Sequence, residues 1–201
     1  VFEDPADQAQ LPHPRLGYYG VIDERFDIEL LDRIAEMHPD WTLVMVGPVV
    51  KIDPQDLPRR PNIHYLGGKT YDQLPSYLGG WDVALMPFAM NESTQFISPT
   101  KTPEYLAGGK PVVSTPVKDV VRHYGHLEGV KIAGDAISFV EACEQALELA
   151  RDGRGQWLAE ADLLLSATSW QTTQARMAGL IAQVLGTRTE QETPALLVAA
   201  E

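Results

Sequence analysis

Two alternating hydrophobic periods constrain this chain more than any other feature. Apolar runs of strand length occur at RLGYYGVI (15–22), WTLVMVG (41–47), PNIHYLG (61–67), WDVALMPF (81–88), PVVST (111–115) and VKIAG (130–134). Between them lie segments with apolar residues at helical spacing. FDIELLDRIAEM (26–37) places Phe26, Leu30, Ile34 and Met37 on one face, and the helix predicted over 135–151 aligns Phe139, Cys143, Ala146 and Ala150. A short helix is expected in YDQLPSYLGG (71–80), with Asp72 able to cap it, and another from Pro99 to Gly108. Two more, near 154–167 and 170–185, follow the last strand. WTLVMVG is apolar without interruption and ends in glycine, as suits a strand buried on both faces. Strand alternating with helix predicts an α/β domain: a Rossmann-like, doubly wound parallel sheet of about six strands in the order 3-2-1-4-5-6, with C-terminal helices. Residues 15–187 form that domain. Residues 1–14 and 188–201, polar and proline-bearing, read as a linker and a flexible tail.

Such a topology also locates a site. Ligands of doubly wound sheets bind beyond the carboxyl strand ends where the order reverses, here between strands one and four. The first loop there is Gly20-Val21-Ile22-Asp23-Glu24-Arg25, and the second runs from Phe88 to Ser98 into SPTKTPEYLAGGKPVVST (98–115). Ser98 suits an N-cap and Pro99 a first helical position. Free amides of Thr100 and Lys101, with the Lys101 charge, would attract an anion. Glu104, one turn deeper, cannot hold a phosphate but can accept from two adjacent hydroxyls, such as a ribose diol. Phosphate at the helix start and ribose one turn in describe a nucleotide. The plainer alternative is that Ser98 only caps and Glu104 only favours the first turns of a helix.

Other chemistries lack their signatures. No G-x-G-x-x-G, P-loop, G-x-S-x-G or Asp-x-Asp is present. His123 and His126 stand three apart with no cysteine or clustered carboxylate to complete a metal set, so they read as solvent histidines. The net charge of -12 opposes nucleic-acid binding. The single cysteine, Cys143, lies among apolar neighbours as a core residue and excludes an internal disulfide, which points to a reducing compartment. No run of about 18 apolar residues marks a membrane span. The first residues lack both a signal-peptide pattern and a starting Met, so the chain is expected to be a piece of a longer protein.

Taken together, G-x-x-D (20–23), WTLVMVGP (41–48), PNIHYLG (61–67), DVALMPF (82–88), SPTKTPEYLAGGKPVVST and the late Ser169-Trp170 resemble the C-terminal, donor-binding domain of GT-B-fold retaining glycosyltransferases of the glycogen-synthase-like group. The resemblance spans about residues 15–186, and EYLAGGKPVVST is its most specific part. It implies a nucleotide-sugar donor, a UDP-sugar by default. It further implies a missing N-terminal acceptor domain, no metal or other cofactor, and a hydroxyl acceptor. The family's usual setting is bacterial cell-surface polysaccharide synthesis. The cytoplasm, with peripheral contact at the inner membrane face through the full-length protein, is its default location.

Residue by residue, Glu104 matches the second of two family glutamates eight apart, the one that holds the donor ribose. The first falls on Phe96, which cannot act as a carboxylate; Glu92 and Asn91 are the nearby polar candidates. The basic pair after strand one has Val21 at the first position, leaving Arg25 as nearest candidate beside Gly20, with Lys101 to compensate. Leu66, Gly67, Gly68 and Lys69 would hold the base, largely through backbone groups. No catalytic residue is assigned in this domain beyond Lys101 and Arg25 as stabilisers of the leaving diphosphate. Trp170 is expected to pack. The expected donor-binding set is Gly20, Arg25, Gly68, Lys69, Ser98, Thr100, Lys101 and Glu104. Three alternatives stay open: a nucleotide-sugar epimerase of related fold, a degenerate non-catalytic scaffold, and a sugar-phosphate-binding module.

Overall fold

A computed structural model of the chain describes residues 3–94, 96–98, 100–152, 155–167 and 169–191. The chain divides into two compact units, Val1–Asp162 and Leu163–Glu201.

The first unit is built on six parallel strands: β1 (Arg15–Tyr19), β2 (Thr42–Val46), β3 (Ile63–Gly67), β4 (Val83–Met86), β5 (Val112–Ser114) and β6 (Val130–Ile132). Their order is β3-β2-β1-β4-β5-β6, the doubly wound order expected from the alternation. Register runs Leu16 beside Leu43 and Val83, then Ala84 beside Val112, and Val112 beside Val130. Every residue of β1, β2, β4 and β5 is buried. Continuous apolar runs in the sequence therefore become strands covered on both faces.

Helix α1 (Ala6–Ala9) precedes β1. Next come α2 (Ile28–Met37), α3 (Leu74–Gly79), α4 (Lys101–Ala107), α5 (Lys118–Tyr124) and α6 (Ala136–Arg151). Helix α2 begins where Asp27 accepts from the Leu30 amide at 2.9 Å, two residues later than the periodic pattern suggests. Its buried face carries Leu30, Leu31, Ile34 and Ala35, while Met37 is 41% exposed. Phe26, outside the helix, packs edge-on against Tyr18 at 5.0 Å. Asp72 does not cap α3: a 3-10 turn (Tyr71–Gln73) comes first, closed by a capping box between Thr70 and Gln73. In α6 the buried set is Phe139, Val140, Ala142, Cys143, Ala146 and Leu147. Cys143 is fully buried, and burial pushes its thiol pKa well up, so it is unreactive. His123 and His126 are exposed, at and just beyond the end of α5, and no group of three metal-ligating residues occurs among the described residues.

The segment read as an entering linker packs tightly on this unit. Gln8 in α1 is fully buried; it donates to the Tyr77 carbonyl and to Asp4 and accepts from the Trp81 indole at 2.8 Å. Arg15, 3% exposed, donates to the carbonyls of Ala9 and Leu11 and to Asp4 at 2.6 Å. Polar composition hides this docking because each polar group finds its partner only in the tertiary structure.

Burial pushes the Asp4 carboxyl up, but the hydrogen bonds and charge of Arg15 outweigh it, so Asp4 titrates below its ordinary value. Its pKa is depressed by folding. The stability it contributes is therefore present above the unfolded carboxylate range and lost as pH falls through the folded value. Asp4→Ala is expected to destabilise the unit by about 2 kcal/mol, below the full cost of breaking a buried pair because Asp4 is partly solvated. Urea denaturation at neutral pH measures it, and the difference from wild type should vanish in acid.

Helix α7 (Gln156–Ser166) leads into the second unit, whose long helix is α8 (Trp170–Gln191). Ser169 caps α8, accepting from the Thr172 amide at 3.0 Å. Trp170, expected to pack, is instead 82% exposed as the first residue of that helix, because that position opens the helix and buries no face. α8 runs past the expected end at 185 and into the stretch read as a tail. Residues 192–201 of that stretch lie outside the described residues. No described helix is long and apolar enough to cross a membrane.

Candidate functional site

The cleft forms where β1, β2 and β4 end. Gly20 follows β1 with φ +144° and donates its amide to the Val46 carbonyl at 2.8 Å; Gly47 follows β2 with φ +150° and donates to the Gly67 carbonyl at 2.9 Å. A Cβ on Gly47 would lie 1.8 Å from the Gly20 oxygen. Only glycine allows this approach, and it opens a cavity of about 250 Å³ at the topological switch point. Tyr19, Gly20, Gly47, Pro48, Lys69 and Lys101 are among its walls.

Lys101 opens α4 and lays its side chain across Gly20, where an added Cβ would meet Lys101 Cε at 2.5 Å. Its Nζ lies 5.9 Å from the Tyr18 ring centroid. It makes no hydrogen bond or ion pair among the described residues. Burial pulls its pKa below the ordinary lysine value, against the opposing pull of Glu104. A partly desolvated, uncommitted ammonium is poised for an anion.

Glu104 lies three residues on, one helical turn deeper. Its Oε2 accepts from the Tyr19 hydroxyl at 2.7 Å, and its Oε1 has no hydrogen-bond partner among the described residues. Burial first, and then the Glu104 carboxylate, push the Tyr19 phenol far above its ordinary pKa, so it remains a donor. The Tyr19 ring is wedged edge-on against Tyr105 at 4.8 Å, and the Tyr105 hydroxyl accepts from the Tyr19 amide at 3.1 Å.

The remaining expected residues divide. Gly20 and Lys69 join Lys101 around the cavity, with Glu104 alongside through Tyr19. Lys69, however, is committed: its Nζ bonds Asp7 of α1 at 2.7 Å, and Asp7 also accepts from Tyr77. Arg25 is committed too. It grips Asp23 through Nε at 3.0 Å and through Nη2, and the Asp23 side chain is only 3% exposed. The sequence could not show that the buried Asp23 carboxylate claims the guanidinium. Gly68 follows β3 with ordinary room: an added Cβ would come no closer than 3.8 Å, to Pro48. The position that favours glycine is its neighbour Gly67, at φ +72°.

Ser98 is not the N-cap. The helix begins at Lys101, and Thr100 occupies the cap with φ -73°, ψ -13° and no side-chain bond. A capping oxygen must reach the second or third helical amide, and Ser98 stands too far ahead of them. Both Ser98 and Thr100 are exposed, and Pro99 lies outside the described residues. With seven residues in α4, the full charge of Lys101 outweighs any helix dipole. Phe96 is 82% exposed in the preceding loop. Asn91 spends its side chain on the loop, accepting from the Thr94 amide at 3.2 Å and donating to the Glu24 carbonyl. Sequence reasoning missed Tyr19 and Asp7. Tyr19 ends a buried strand and reads as core, and Asp7 lies in what reads as linker.

The fold and its cleft are those of a Rossmann-like half of a GT-B architecture. Among solved structures, sucrose-phosphate synthase from Thermosynechococcus elongatus matches 92% of this chain and 50% of its own at TM-score 0.70 and 21% identity. Anabaena HepE in complex with UDP-glucose matches 87% and 49% at TM-score 0.58 and 16% identity. In sequence, the putative teichuronic acid biosynthesis glycosyltransferase TuaH of Bacillus subtilis is 32% identical over 136 residues, 66% of this chain and 34% of that protein. The family model for glycosyl transferases group 1 matches residues 14–149, and the chain belongs to that family. It spans about a third of TuaH and half of the sucrose-phosphate synthase.

Proposed function

We propose that this chain is the donor-binding half of a glycosyltransferase. It takes a nucleoside-diphosphate sugar, a UDP-sugar in the favoured case, for transfer to a hydroxyl acceptor in bacterial cell-surface polysaccharide synthesis. The observation that carries this is the pairing of Lys101 and Glu104 on one turn of α4 beside the switch-point cavity: a cation and a carboxylate oxygen that have no partner among the described residues. Family membership, the teichuronic acid biosynthesis role of TuaH and the UDP-glucose bound to HepE support the same reading.

In this mechanism Lys101 stabilises the charge that builds on the departing diphosphate as the glycosidic bond breaks. Glu104 fixes the ribose and does no acid-base chemistry. No metal is needed for this division of labour. Arg25 keeps its place on Asp23 and shapes the first loop, so Lys101 carries the leaving-group charge without it. The acceptor site belongs to a separate domain preceding this one, so the chain alone binds donor and transfers little or none.

Titration calorimetry of the chain with UDP, GDP, ADP and their sugar conjugates tests this. One diphosphate should bind at micromolar to millimolar strength. Lys101→Met is expected to weaken that binding by about 30-fold, the scale of one charge-assisted contact in a partly dry site. Binding needs the protonated lysine, so wild-type affinity should fall as pH rises toward the lowered Lys101 pKa, while Lys101→Met shows no such fall. Binding of none of the diphosphates would instead favour the scaffold reading, to which the commitment of both Arg25 and Lys69 to carboxylates lends some weight.

A further inference from the structure

We propose that Tyr19 is a positioning residue for nucleotide recognition: its hydroxyl holds Glu104 in the one orientation that leaves Oε1 open to a ribose diol. The inference rests on the donor-binding reading above. It adds a residue outside the expected binding set, acting through Glu104.

Tyr19 lies at the end of β1, on the rim of the switch-point cavity, and is 7% exposed. Its ring cannot easily move. Tyr105 closes one side edge-on at 4.8 Å and Trp81 lies at 5.8 Å, while the Tyr19 backbone amide is bonded to the Tyr105 hydroxyl. The phenol O–H therefore projects from a rigid aromatic cluster. It meets Glu104 Oε2 at 2.7 Å, a short charge-assisted bond.

A glutamate on a short helix has three rotatable bonds, and fixing it at the moment of binding costs conformational entropy. Tyr19 removes most of that cost beforehand. A carboxylate has about four lone-pair sites on two oxygens. Tyr19 occupies one on Oε2, and Oε1 has no hydrogen-bond partner among the described residues. The remaining pattern of acceptors suits two neighbouring hydroxyls, one on Oε1 and one sharing Oε2. The structure thus predicts discrimination between ribose and deoxyribose that depends on a phenol lying beneath the carboxylate.

The test compares wild type, Tyr19→Phe, Glu104→Ala and the double variant, titrated by NMR with UDP and with 2′,3′-dideoxy-UDP, and with GDP and ADP and their dideoxy forms. Phenylalanine keeps the ring packing. Tyr19→Phe should bind the ribonucleotide about tenfold more weakly, the scale for one charge-assisted hydrogen bond, and the dideoxy form unchanged. Added to Glu104→Ala, it should cause no further loss, since both act through one contact. Equal losses for ribo and dideoxy ligands, or no loss at all, would overturn the inference while leaving the donor reading intact. A wild-type chain that binds none of the diphosphates overturns both.

Discussion

Glu104→Ala is expected to reduce affinity for the nucleoside diphosphate by more than about 100-fold while leaving the protein folded. A carboxylate accepting from two hydroxyls makes two charge-assisted bonds, each of about 1.5–3 kcal/mol, in a cleft where water cannot fully replace them. The structural cost is small by comparison. Glu104 is only partly buried, and its hydrogen bond among the described residues is the one from Tyr19. Losing it should cost the fold about 1 kcal/mol. Calorimetry gives the first quantity and a thermal melt the second. Unchanged affinity would remove Glu104 from the site and, with it, the nucleotide reading of the stretch at 98–115. A collapsed melt would instead make Glu104 a structural anchor of β1.

Gly47→Ala should destabilise the first unit by about 3–5 kcal/mol, combining the strain of a left-handed backbone with overpacking. The added methyl would stand 1.8 Å from the Gly20 oxygen, at φ +150°. Neither group can yield cheaply: both are backbone, and each is fixed by a neighbouring strand through the Val46 and Gly67 carbonyls. Against a typical domain stability of about 5–15 kcal/mol, this is a large share. Gly68→Ala, just after the neighbouring strand β3 and with 3.8 Å of clearance, is the control and should cost well under 1 kcal/mol. Urea midpoints for the two variants check the contrast. Equal midpoints would mean that the β1 and β2 exits are not held in contact.

The cleft's position was legible because topology sets it. The spacing of apolar runs gives the alternation of strand and helix, and right-handed crossovers then leave few sheet orders, of which the doubly wound one fits six strands. The order β3-β2-β1-β4-β5-β6 puts the ends of β1 and β4 beside each other whatever the side chains do. Lys101 and Glu104 were legible for the same reason, since three residues on a helix are one turn. Helix ends were less so. Ser98 has the right chemistry for a cap, but where the ladder starts depends on how α4 meets the sheet. The helix α5 escaped notice because KDVVRHY has Val120 alone on its buried face, too little to form a period.

Charges were the least legible feature. Arg25, Lys69 and Lys101 look alike in sequence as cations near the carboxyl edge. Asp23 claims the first, over two residues of separation, and Asp7 the second, over 62. Composition, period and connectivity, all properties of the chain in one dimension, determined the parallel sheet, the switch-point cleft and the helical turn that pairs Lys101 with Glu104. Which cation stays free, and which phenol steadies the glutamate, only the tertiary structure decided, because hydrogen bonds and ion pairs are contacts of a few ångströms between groups that sequence distance leaves unrelated.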